Sequence, residues 1–357
     1  MLICVCSFSE NGREWEKVFK FQIPDIVWVT KPHEEKTSEW VKTQFAKRLP
    51  ILFIGSVGIA VRIIAPLVND KFLDSPVMVL DEGGRNLIPI LCGHIGGANE
   101  LARMIAAKIG ANPIITTSTD VHNVYSIDVF ARKNALRIIN RNAIKTVAQK
   151  FIAKKEIWLK IPQNFELGDE IIPESIVIAY ENEQVSCDVQ ILLTDEEVQE
   201  ALKENPDTLI LVPRKYCVGI GCKKGKTFEE LNDFLQSSLG ELDGNYIENI
   251  AAIASIDLKK NEIGIMNLAQ YYHVDFKTFT NQELAETKPA PGQDFSPSYF
   301  VKDITGVDNV CERAAVACAN LLGASKESLL TVKKLSKDGM TLAVAERIPK
   351  ISTWETR

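Results

Sequence analysis

Residues 38–68, SEWVKTQFAKRLPILFIGSVGIAVRIIAPLV, decide the fold class of the chain. An amphipathic pattern is followed by the apolar run PILFI (50–54), a turn at Gly55 and a second helical pattern. A short apolar run between two helical patterns is typical of a strand that is buried on both faces of a parallel sheet. The stretch therefore predicts an α/β unit with helices on both sides of its sheet.

The same alternation extends to both sides of this stretch. The flanking runs are LICVCSF (2–8), DIVWVT (25–30), SPVMVL (75–80), the helical ANELARMIAAKIG (98–110) and NPIITT (112–117). We predict a parallel-sheet, Rossmann-like domain over residues 1–130. Glycine or polar clusters follow the runs PILFI, PVMVL, NLIPILC and NPII. Because ligands bind at the carboxyl ends of strands in such sheets, we expect these four clusters to share one edge.

Two further segments follow this domain. Residues 131–215 combine charged helices with isolated strands such as EIWLKI (156–161), and we predict a small α/β linking domain there. The strand CVGIGC (217–222) begins a new alternation of strands and helices, which ends in two strand-like runs joined by Asp338-Gly339, a dipeptide suited to a hairpin turn. We predict a separate α/β domain over residues 216–357.

Composition limits the classes of protein to which the chain can belong. Its 357 residues are 46% hydrophobic and 25% charged, which is typical of a globular protein of two or three domains. The apolar start MLICVCSF lacks a basic flank and no stretch could span a bilayer, so no membrane partner is expected. The eight cysteines show no C-x-x-C spacing, which favours a reducing cytoplasm and no structural metal. A net charge of −6 gives no support for nucleic-acid binding.

The strongest candidate site is Cys92-Gly93-His94-Ile95-Gly96-Gly97-Ala98-Asn99-Glu100, between an apolar strand and an amphipathic helix. Gly93, Gly96 and Gly97 allow the backbone to approach a ligand, and Asn99 and Glu100 fall in the first helical turn. His94 at a strand end is a candidate general base or proton donor. The alternative is a histidine that only orders the loop. Cys92 is best explained by packing, although a thiolate nucleophile stays open.

Other candidates surround the remaining strand ends of the first domain. Gly55 and Gly58 precede a helix whose first amides could bind an anion, or they could only permit a tight turn. Asp81, in DEGGR, could present a carboxylate at the same rim, and a hairpin turn explains it equally well. Arg62 is a candidate cation for substrate carboxylates. Thr117 and Asp120, in the polar run after NPII, are candidate substrate contacts.

The last domain carries a second glycine loop, Gly219-Ile220-Gly221-Cys222-Lys223-Lys224-Gly225, which looks suited to carboxylates or phosphates. Lys259 and Lys333 could complete a basic rim. Glu312, near a helix start, is a further candidate for proton transfer. Each lysine alone is more often a solvated surface residue, and their repeated position at strand ends is what favours a binding role.

These motifs together carry a resemblance to a known family. GSVGIAVRIIAPL (55–67), VLDEGGRNLIPILCGHIGGANELA (79–102) and PIITTSTD (113–120) resemble the amino-terminal domain of the CbiG family. The runs GIGCKKGKTFEEL (219–231), AAIASIDLKKNEIGIMNLA (251–269), ITGVDNVCERAA (304–315) and SKDGMTLAVAER (336–347) resemble its carboxy-terminal, CobE-like domain. The spans that they mark cover a little over half of the chain. Cys92 departs from the Ser that is common in the family at this position.

The resemblance implies a hydrolase of anaerobic cobalamin (vitamin B12) biosynthesis. Such an enzyme opens the δ-lactone of cobalt-precorrin-5A and releases acetaldehyde to give cobalt-precorrin-5B. His94 with the amides of Gly96 and Gly97 would suit lactone opening, and Asp81, Glu100 or Glu312 would suit the proton transfers. No cofactor is expected, since the cobalt is carried by the corrinoid substrate.

Two other functions are compatible with the sequence. The CobE-like part favours a non-catalytic protein of the same pathway that binds or channels a tetrapyrrole. A nucleotide- or sugar-phosphate-binding enzyme is favoured by fold analogy alone, and the dinucleotide and P-loop motifs are absent. A homodimer, or contact with other enzymes of the pathway, is compatible with the sequence but is not set by it.

Overall fold

The structure is a computed structural model that describes residues 1–242, 244–297 and 308–356. Residues 304–307 of the motif ITGVDNVCERAA lie outside the described part. The chain divides into two compact units, Met1–Val121 with Met266–His273 and His122–Ile265 with Val274–Arg357. The first unit contains one large sheet and the second contains two, so the predicted α/β class is confirmed.

The first sheet has six strands in the order β2-β1-β3-β4-β5-β6. The strands are β1 (Leu2–Ser7), β2 (Val27–Thr30), β3 (Ile51–Ile54), β4 (Val77–Leu80), β5 (Asn86–Leu91) and β6 (Asn112–Pro113). The helices are α1 (Glu10–Gln22), α2 (Thr37–Ala46), α3 (Val57–Ile64), α4 (Ala98–Ile109) and α5 (Ser118–Val121). Strands β1 to β4 are parallel, as the alternation predicts.

The core of this unit follows from its apolar strands. Every residue of β3 and β4 is buried, because helices cover both faces of the sheet. On one face Phe19 of α1 stacks on Trp28 of β2, with ring centroids 4.7 Å apart. Leu101 and Ile105 of α4 pack into the same cluster. Burial of these aromatic and aliphatic side chains stabilises the first unit.

Strand β5 runs antiparallel to β4, which the predicted parallel sheet did not include. Leu91, the last residue of β5, pairs with Val77, the first residue of β4. Strand β6 is parallel to β5. The carboxyl ends of β3 and β4 therefore lie at one edge, and those of β5 and β6 lie at the opposite edge. The expectation that four polar clusters share one edge is wrong, because the DEGGRN turn reverses the chain.

The second sheet has the strand order β10-β8-β11-β12-β7. Its strands are β7 (Leu136–Ile138), β8 (Ile157–Ile161), β10 (Ile176–Tyr180), β11 (Val189–Ile191) and β12 (Leu209–Pro213). Its helices are α6 (Ile127–Lys133), α7 (Ala143–Ile152) and α8 (Asp195–Glu204). Thr194 and Glu197 form a capping box at the start of α8, which satisfies amides that the helix itself cannot pair.

The third sheet has the strand order β15-β14-β13-β17-β16. Its strands are β13 (Tyr216–Cys222), β14 (Ile250–Ile256), β15 (Asp275–Phe279), β16 (Leu329–Lys337) and β17 (Met340–Glu346). The associated helices are α9 (Phe228–Leu239), α11 (Asn281–Glu286) and α12 (Val310–Leu322). Helix α10 (Ile263–Tyr271) follows β14 in the chain, and its residues from Met266 onward belong to the first unit. Strands β16 and β17 form the hairpin predicted at Asp338-Gly339, and Gly339 has a φ of 77°.

A buried arginine joins the second and third sheets within the second unit. Arg347, after β17, is 2% exposed, and its Nε donates to the carbonyl of Arg214 at 2.8 Å. Its Nη2 lies 3.3 Å and 3.4 Å from the carbonyl oxygens of Asn134 and Ala135. The last strand, β18 (Lys350–Ile351), pairs with β9 (Glu166–Leu167) of the middle segment. The domain boundaries at 130/131 and 215/216 stay predictions.

Candidate active site

His94 lies in the loop between β5 and α4. Its side chain is 14% exposed, and its Nε2 lies 2.7 Å from Oδ2 of Asp120 in α5. The hydroxyl of Thr119 lies 3.2 Å from the same nitrogen. A carboxylate that accepts from one ring nitrogen fixes the orientation of the imidazole, and the tautomer that donates from Nε2 carries its lone pair on Nδ1. The pair is therefore suited to proton transfer.

Asp120 accepts hydrogen bonds from three side chains. Besides His94, Nδ2 of Asn99 donates to Oδ2 at 2.9 Å, and Arg103 forms an ion pair with Oδ1. Burial raises the pKa of Asp120, but the hydrogen bonds from His94 and Arg103 outweigh it, so the pKa lies below its ordinary value. Asp120 is consequently an ionised acceptor at neutral pH.

Asn99 connects the glycine loop to the polar run after β6. It is 4% exposed, and its Nδ2 donates to the hydroxyl of Thr117 at 2.6 Å. A Cβ atom on Gly93 would lie 2.6 Å from Oδ1 of Asn99, so any larger residue at position 93 would displace this amide. The loop and the polar run thus form one hydrogen-bonded cluster, made of Gly93, His94, Asn99, Thr117 and Asp120.

The two glycine amides proposed as oxyanion donors differ. The Gly97 amide donates to the carbonyl of His94 at 3.0 Å, so it is already used within the loop. Gly97 also has a φ of 81° at the N-cap of α4, a conformation that favours glycine. In the described chain no acceptor engages the Gly96 amide. Of the two, only the Gly96 amide is left without an acceptor in the described residues.

Cys92 is a packing residue in this loop. The side chain is buried, and its thiol donates to the carbonyl of Lys71 at 3.4 Å. Burial, together with the nearby carboxylates of Asp74 and Asp70, raises the pKa of Cys92 to about 12. The thiolate form is therefore scarce at neutral pH, and the thiolate nucleophile left open by the sequence is disfavoured.

The structure places Asp81, Gly55, Gly58 and Arg62 away from His94. Strand β5, about 17 Å long at about 3.4 Å per residue, separates the hairpin turn from the His94 loop. Gly55 and Asp81 end the paired strands β3 and β4 at the opposite edge, and Arg62 is exposed in the last turn of α3. Asp81 accepts from the amides of the turn at 2.8 Å and 3.0 Å, as a hairpin requires. Burial raises the pKa of Asp81, but these bonds lower it below its ordinary value.

Asp120, rather than Asp81 or Glu100, is the carboxylate at His94. Glu100 is exposed in the first turn of α4, while Asp120 was predicted only as a substrate contact. Arg103 was not predicted at all. It lies four positions after Asn99, so the two share one helix face, and that spacing is a signal the sequence does contain.

The glycines of the second loop have structural explanations. A Cβ atom on Gly219 would lie 1.9 Å from the carbonyl oxygen of Cys311, because α12 packs directly on β13. A Cβ atom on Gly221 would lie 2.7 Å from Oγ1 of Thr341 on the neighbouring strand. Both positions therefore require glycine for packing, and neither glycine needs a ligand to explain it.

The predicted cations of the last domain differ in their exposure and in their ion pairing. Lys223 is exposed, and its alkyl chain lies over Gly339. Lys259 pairs with Glu262 at 2.8 Å, and Glu262 also accepts from the Gly225 amide at 2.7 Å. Lys259 is thus largely neutralised within the protein. Lys333 is exposed on β16 and lines a groove beside α9.

Glu312 is fully buried and saturated with donors. Its carboxylate accepts from the amide and hydroxyl of Ser296 at 2.7 Å and 2.8 Å, from Nδ2 of Asn309 at 2.8 Å and from the Lys334 amide at 2.7 Å. A carboxylate with four protein donors and no exposed surface cannot reach a substrate without rearrangement. Its position indicates a structural role.

None of the described helices is long and apolar enough to cross a membrane. No group of three or more His, Cys, Asp or Glu side chains that could hold a metal ion occurs in the described part of the chain.

The fold and the site define an α/β protein with an imidazole–carboxylate pair beside a glycine-rich loop. The models of the families described as "Cobalamin synthesis G N-terminal" and "Cobalamin synthesis G C-terminus" match residues 39–120 and 216–345. The chain belongs to this cobalamin synthesis G (CbiG) family and is an enzyme of the hydrolase type that acts in cobalamin biosynthesis.

Two relatives of the same name agree with this assignment. The chain is 36% identical over 290 residues to cobalt-precorrin-5A hydrolase of Salmonella typhimurium, covering 80% of each protein. It is 29% identical over 348 residues to the protein of the same name from Priestia megaterium, covering 91% of this chain and 89% of that one. The crystal structure of CobE, a protein from the cobalamin pathway, matches 38% of this chain and 92% of its own at 31% identity, with a TM-score of 0.34.

Proposed function

We propose that this chain is a cobalt-precorrin-5A hydrolase, which opens the δ-lactone of its corrinoid substrate and releases acetaldehyde to give cobalt-precorrin-5B. The names of the relatives support the substrate, and the His94–Asp120 pair, at 2.7 Å, is the observation that supports a hydrolytic step. We also propose that the reaction takes place in the cytoplasm, which agrees with eight free cysteines.

In the first step His94 removes a proton from water, and the hydroxide formed attacks the acyl carbon of the lactone. Asp120 holds the ring and stabilises the imidazolium that results. The Gly96 amide supplies a hydrogen bond to the oxyanion. Collapse of the tetrahedral intermediate breaks the acyl carbon–oxygen bond, which leaves a carboxylate on the corrinoid and a hydroxyl on the extruded two-carbon fragment.

The second step removes that fragment. A base takes the proton of the new hydroxyl, the oxygen forms a carbonyl, and the carbon–carbon bond to the macrocycle breaks. The electron pair of this bond passes to the conjugated macrocycle, which accepts a proton, so no external oxidant or reductant is needed. We propose that the protein carries no resident cofactor, because the macrocycle supplies this electron sink and the cobalt arrives with the substrate.

The test is to mix the protein with cobalt-precorrin-5A and to measure aldehyde with a coupled alcohol dehydrogenase. The proposal expects catalytic release of one aldehyde per corrinoid. Tight corrinoid binding without aldehyde would instead support the binding or channelling function, and absence of both would remove the corrinoid as substrate.

A further inference from the structure

A groove on the second unit lies outside the His94 cluster. It runs between α9 and the edge strand β16 and has a volume of about 780 Å³, within the range of small-molecule sites. It is lined by Phe234, Ser237, Ser238, Leu242, Tyr246 and residues 331–337. Buried apolar side chains and exposed lysines contribute to the same lining, since Phe234 and Val332 are buried and Lys333 and Lys337 are exposed.

Strand β16 contains a β-bulge at Lys333 and Lys334. Val332 pairs with Val344 and Leu335 pairs with Leu342, so Lys333 and Lys334 both lie opposite the single residue Ala343. A bulge of this kind leaves an extra residue outside the regular ladder and redirects neighbouring side chains. The bulge lies within residues 331–337, all of which line the groove, so Lys333 and Lys334 stand at its irregular part.

Glu312 holds this bulge in place. Its buried carboxylate accepts from the Lys334 amide at 2.7 Å, which is the backbone donor that a bulge withdraws from the ladder. The other acceptor sites of Glu312 are filled by Ser296 and Asn309. A fully buried carboxylate is costly unless it is well hydrogen-bonded, and here it fixes the backbone that presents the lysines.

Two of the lysines in the groove, Lys333 and Lys337, have charges that are available to a ligand. Neither Lys333 nor Lys337 forms an ion pair within the described residues. Tyr246 adds an aromatic face, and its ring centroid lies 4.5 Å from that of Tyr216. An apolar and aromatic lining beside two such cations fits a flat ligand with apolar faces and several carboxylates along its edge.

We propose that this groove binds the carboxylate-bearing edge of a tetrapyrrole. This proposal rests on the proposed function for its ligand class, because corrinoids combine a broad apolar macrocycle with many peripheral carboxylates. Addition of a strand from a second copy of the chain is disfavoured, because bulges and lysines on an edge strand oppose such pairing.

The experiment uses the full chain and uroporphyrin, a cobalt-free tetrapyrrole octacarboxylate, as the probe. Binding is followed by porphyrin fluorescence for the native protein, for the double variant Lys333→Ala/Lys337→Ala and for Lys326→Ala, a control on an exposed lysine outside the groove lining. We expect the double variant to bind uroporphyrin about three- to tenfold more weakly, because it loses two ion pairs between surface lysines and porphyrin carboxylates, each of ordinary strength. Affinity should also fall with added salt, and the control should leave it unchanged.

An unchanged Kd in the double variant would overturn the groove proposal, as would a lysine-dependent change in oligomeric state with no change in Kd. The same experiments distinguish a failure of the groove proposal from a failure of the proposed hydrolase function. Lysine-dependent uroporphyrin binding without any aldehyde from cobalt-precorrin-5A would keep the groove and reject the hydrolase. Aldehyde release with an unchanged KM and Kd in the double variant would do the reverse.

Discussion

His94 and Asp120 are separated by 26 positions in the sequence, yet their Nε2 and Oδ2 atoms lie 2.7 Å apart. The two residues follow β5 and β6, which are neighbouring parallel strands. Because parallel neighbours end at the same edge of a sheet, the histidine and the carboxylate meet where both strands finish. Asn99 and Arg103 of α4 add two further donors to Asp120 and fix its position.

His94→Asn tests the proton acceptor. The variant keeps size and some hydrogen bonding but loses the basic nitrogen, so we expect folding and corrinoid binding to persist while kcat falls roughly a hundred- to ten-thousandfold. Steady-state aldehyde release gives kcat, and corrinoid absorbance gives binding. Cys92→Ser is the matched control in the same loop and should lose little. Normal turnover by His94→Asn would make this histidine a structural residue.

Asp120→Asn tests the positioning of the imidazole. The amide has nearly the same shape but no charge, so we expect kcat to fall at least about tenfold with little change in KM. A carboxylate favours the protonated form of a neighbouring imidazole, so its removal should move the rise of kcat to lower pH. A merely structural carboxylate would leave the pH profile of the remaining activity in place.

Much of this site was accessible from the sequence, but its geometry was not. The glycine loop, His94, Asn99, Thr117 and Asp120 all stood out by residue type and by their position after apolar runs. The role of Asp120 as the partner of His94 did not stand out, because a sheet with β4 and β5 parallel would place Asp81, and not Asp120 alone, at the edge where His94 lies. The DEGGRN hairpin reverses β5, and strand direction depends on pairing between segments that local pattern does not report.

Glu312→Ala tests whether this carboxylate is structural. Its removal leaves the donors of Ser296, Asn309 and Lys334 without their buried acceptor, so we expect a loss of about 2–5 kcal/mol in the free energy of unfolding. Urea denaturation measures the loss. Under conditions where the variant stays folded, kcat at saturating substrate should change little. A stable Glu312→Ala protein with collapsed kcat would instead restore Glu312 as the catalytic base.

Stability at acid pH depends on Asp120. Its pKa is lower in the folded protein than in the unfolded chain, where it is about 3.9. Its contribution to stability is therefore fully present above that value and is lost as the pH falls through the folded pKa. Below about pH 5, urea midpoints should fall less steeply for Asp120→Asn than for the native protein. Glu34→Gln, at an exposed position, should follow the native curve.

In the second unit the sequence identified conspicuous residues, but it did not show the packing contacts and ion pairs that explain them. Gly219 and Gly221 stand in a loop that resembles an anion site, whereas the structure explains them by the close approach of α12 and Thr341. Lys259 was predicted as a substrate contact, but in the structure its ammonium group forms an ion pair with Glu262. The buried Glu312 accepts from the Lys334 amide at the bulge of β16, and local spacing in the sequence does not report a contact across 22 positions.

Water activation by His94 is tested most directly by a single turnover of cobalt-precorrin-5A in heavy-oxygen water, followed by mass spectrometry of the corrinoid. Hydrolysis at the acyl carbon puts one heavy oxygen atom into the new corrinoid carboxylate as aldehyde is released, and His94→Asn should slow labelling and aldehyde release together. A corrinoid product without heavy oxygen, or labelling that proceeds at the native rate in His94→Asn, would contradict water activation by His94.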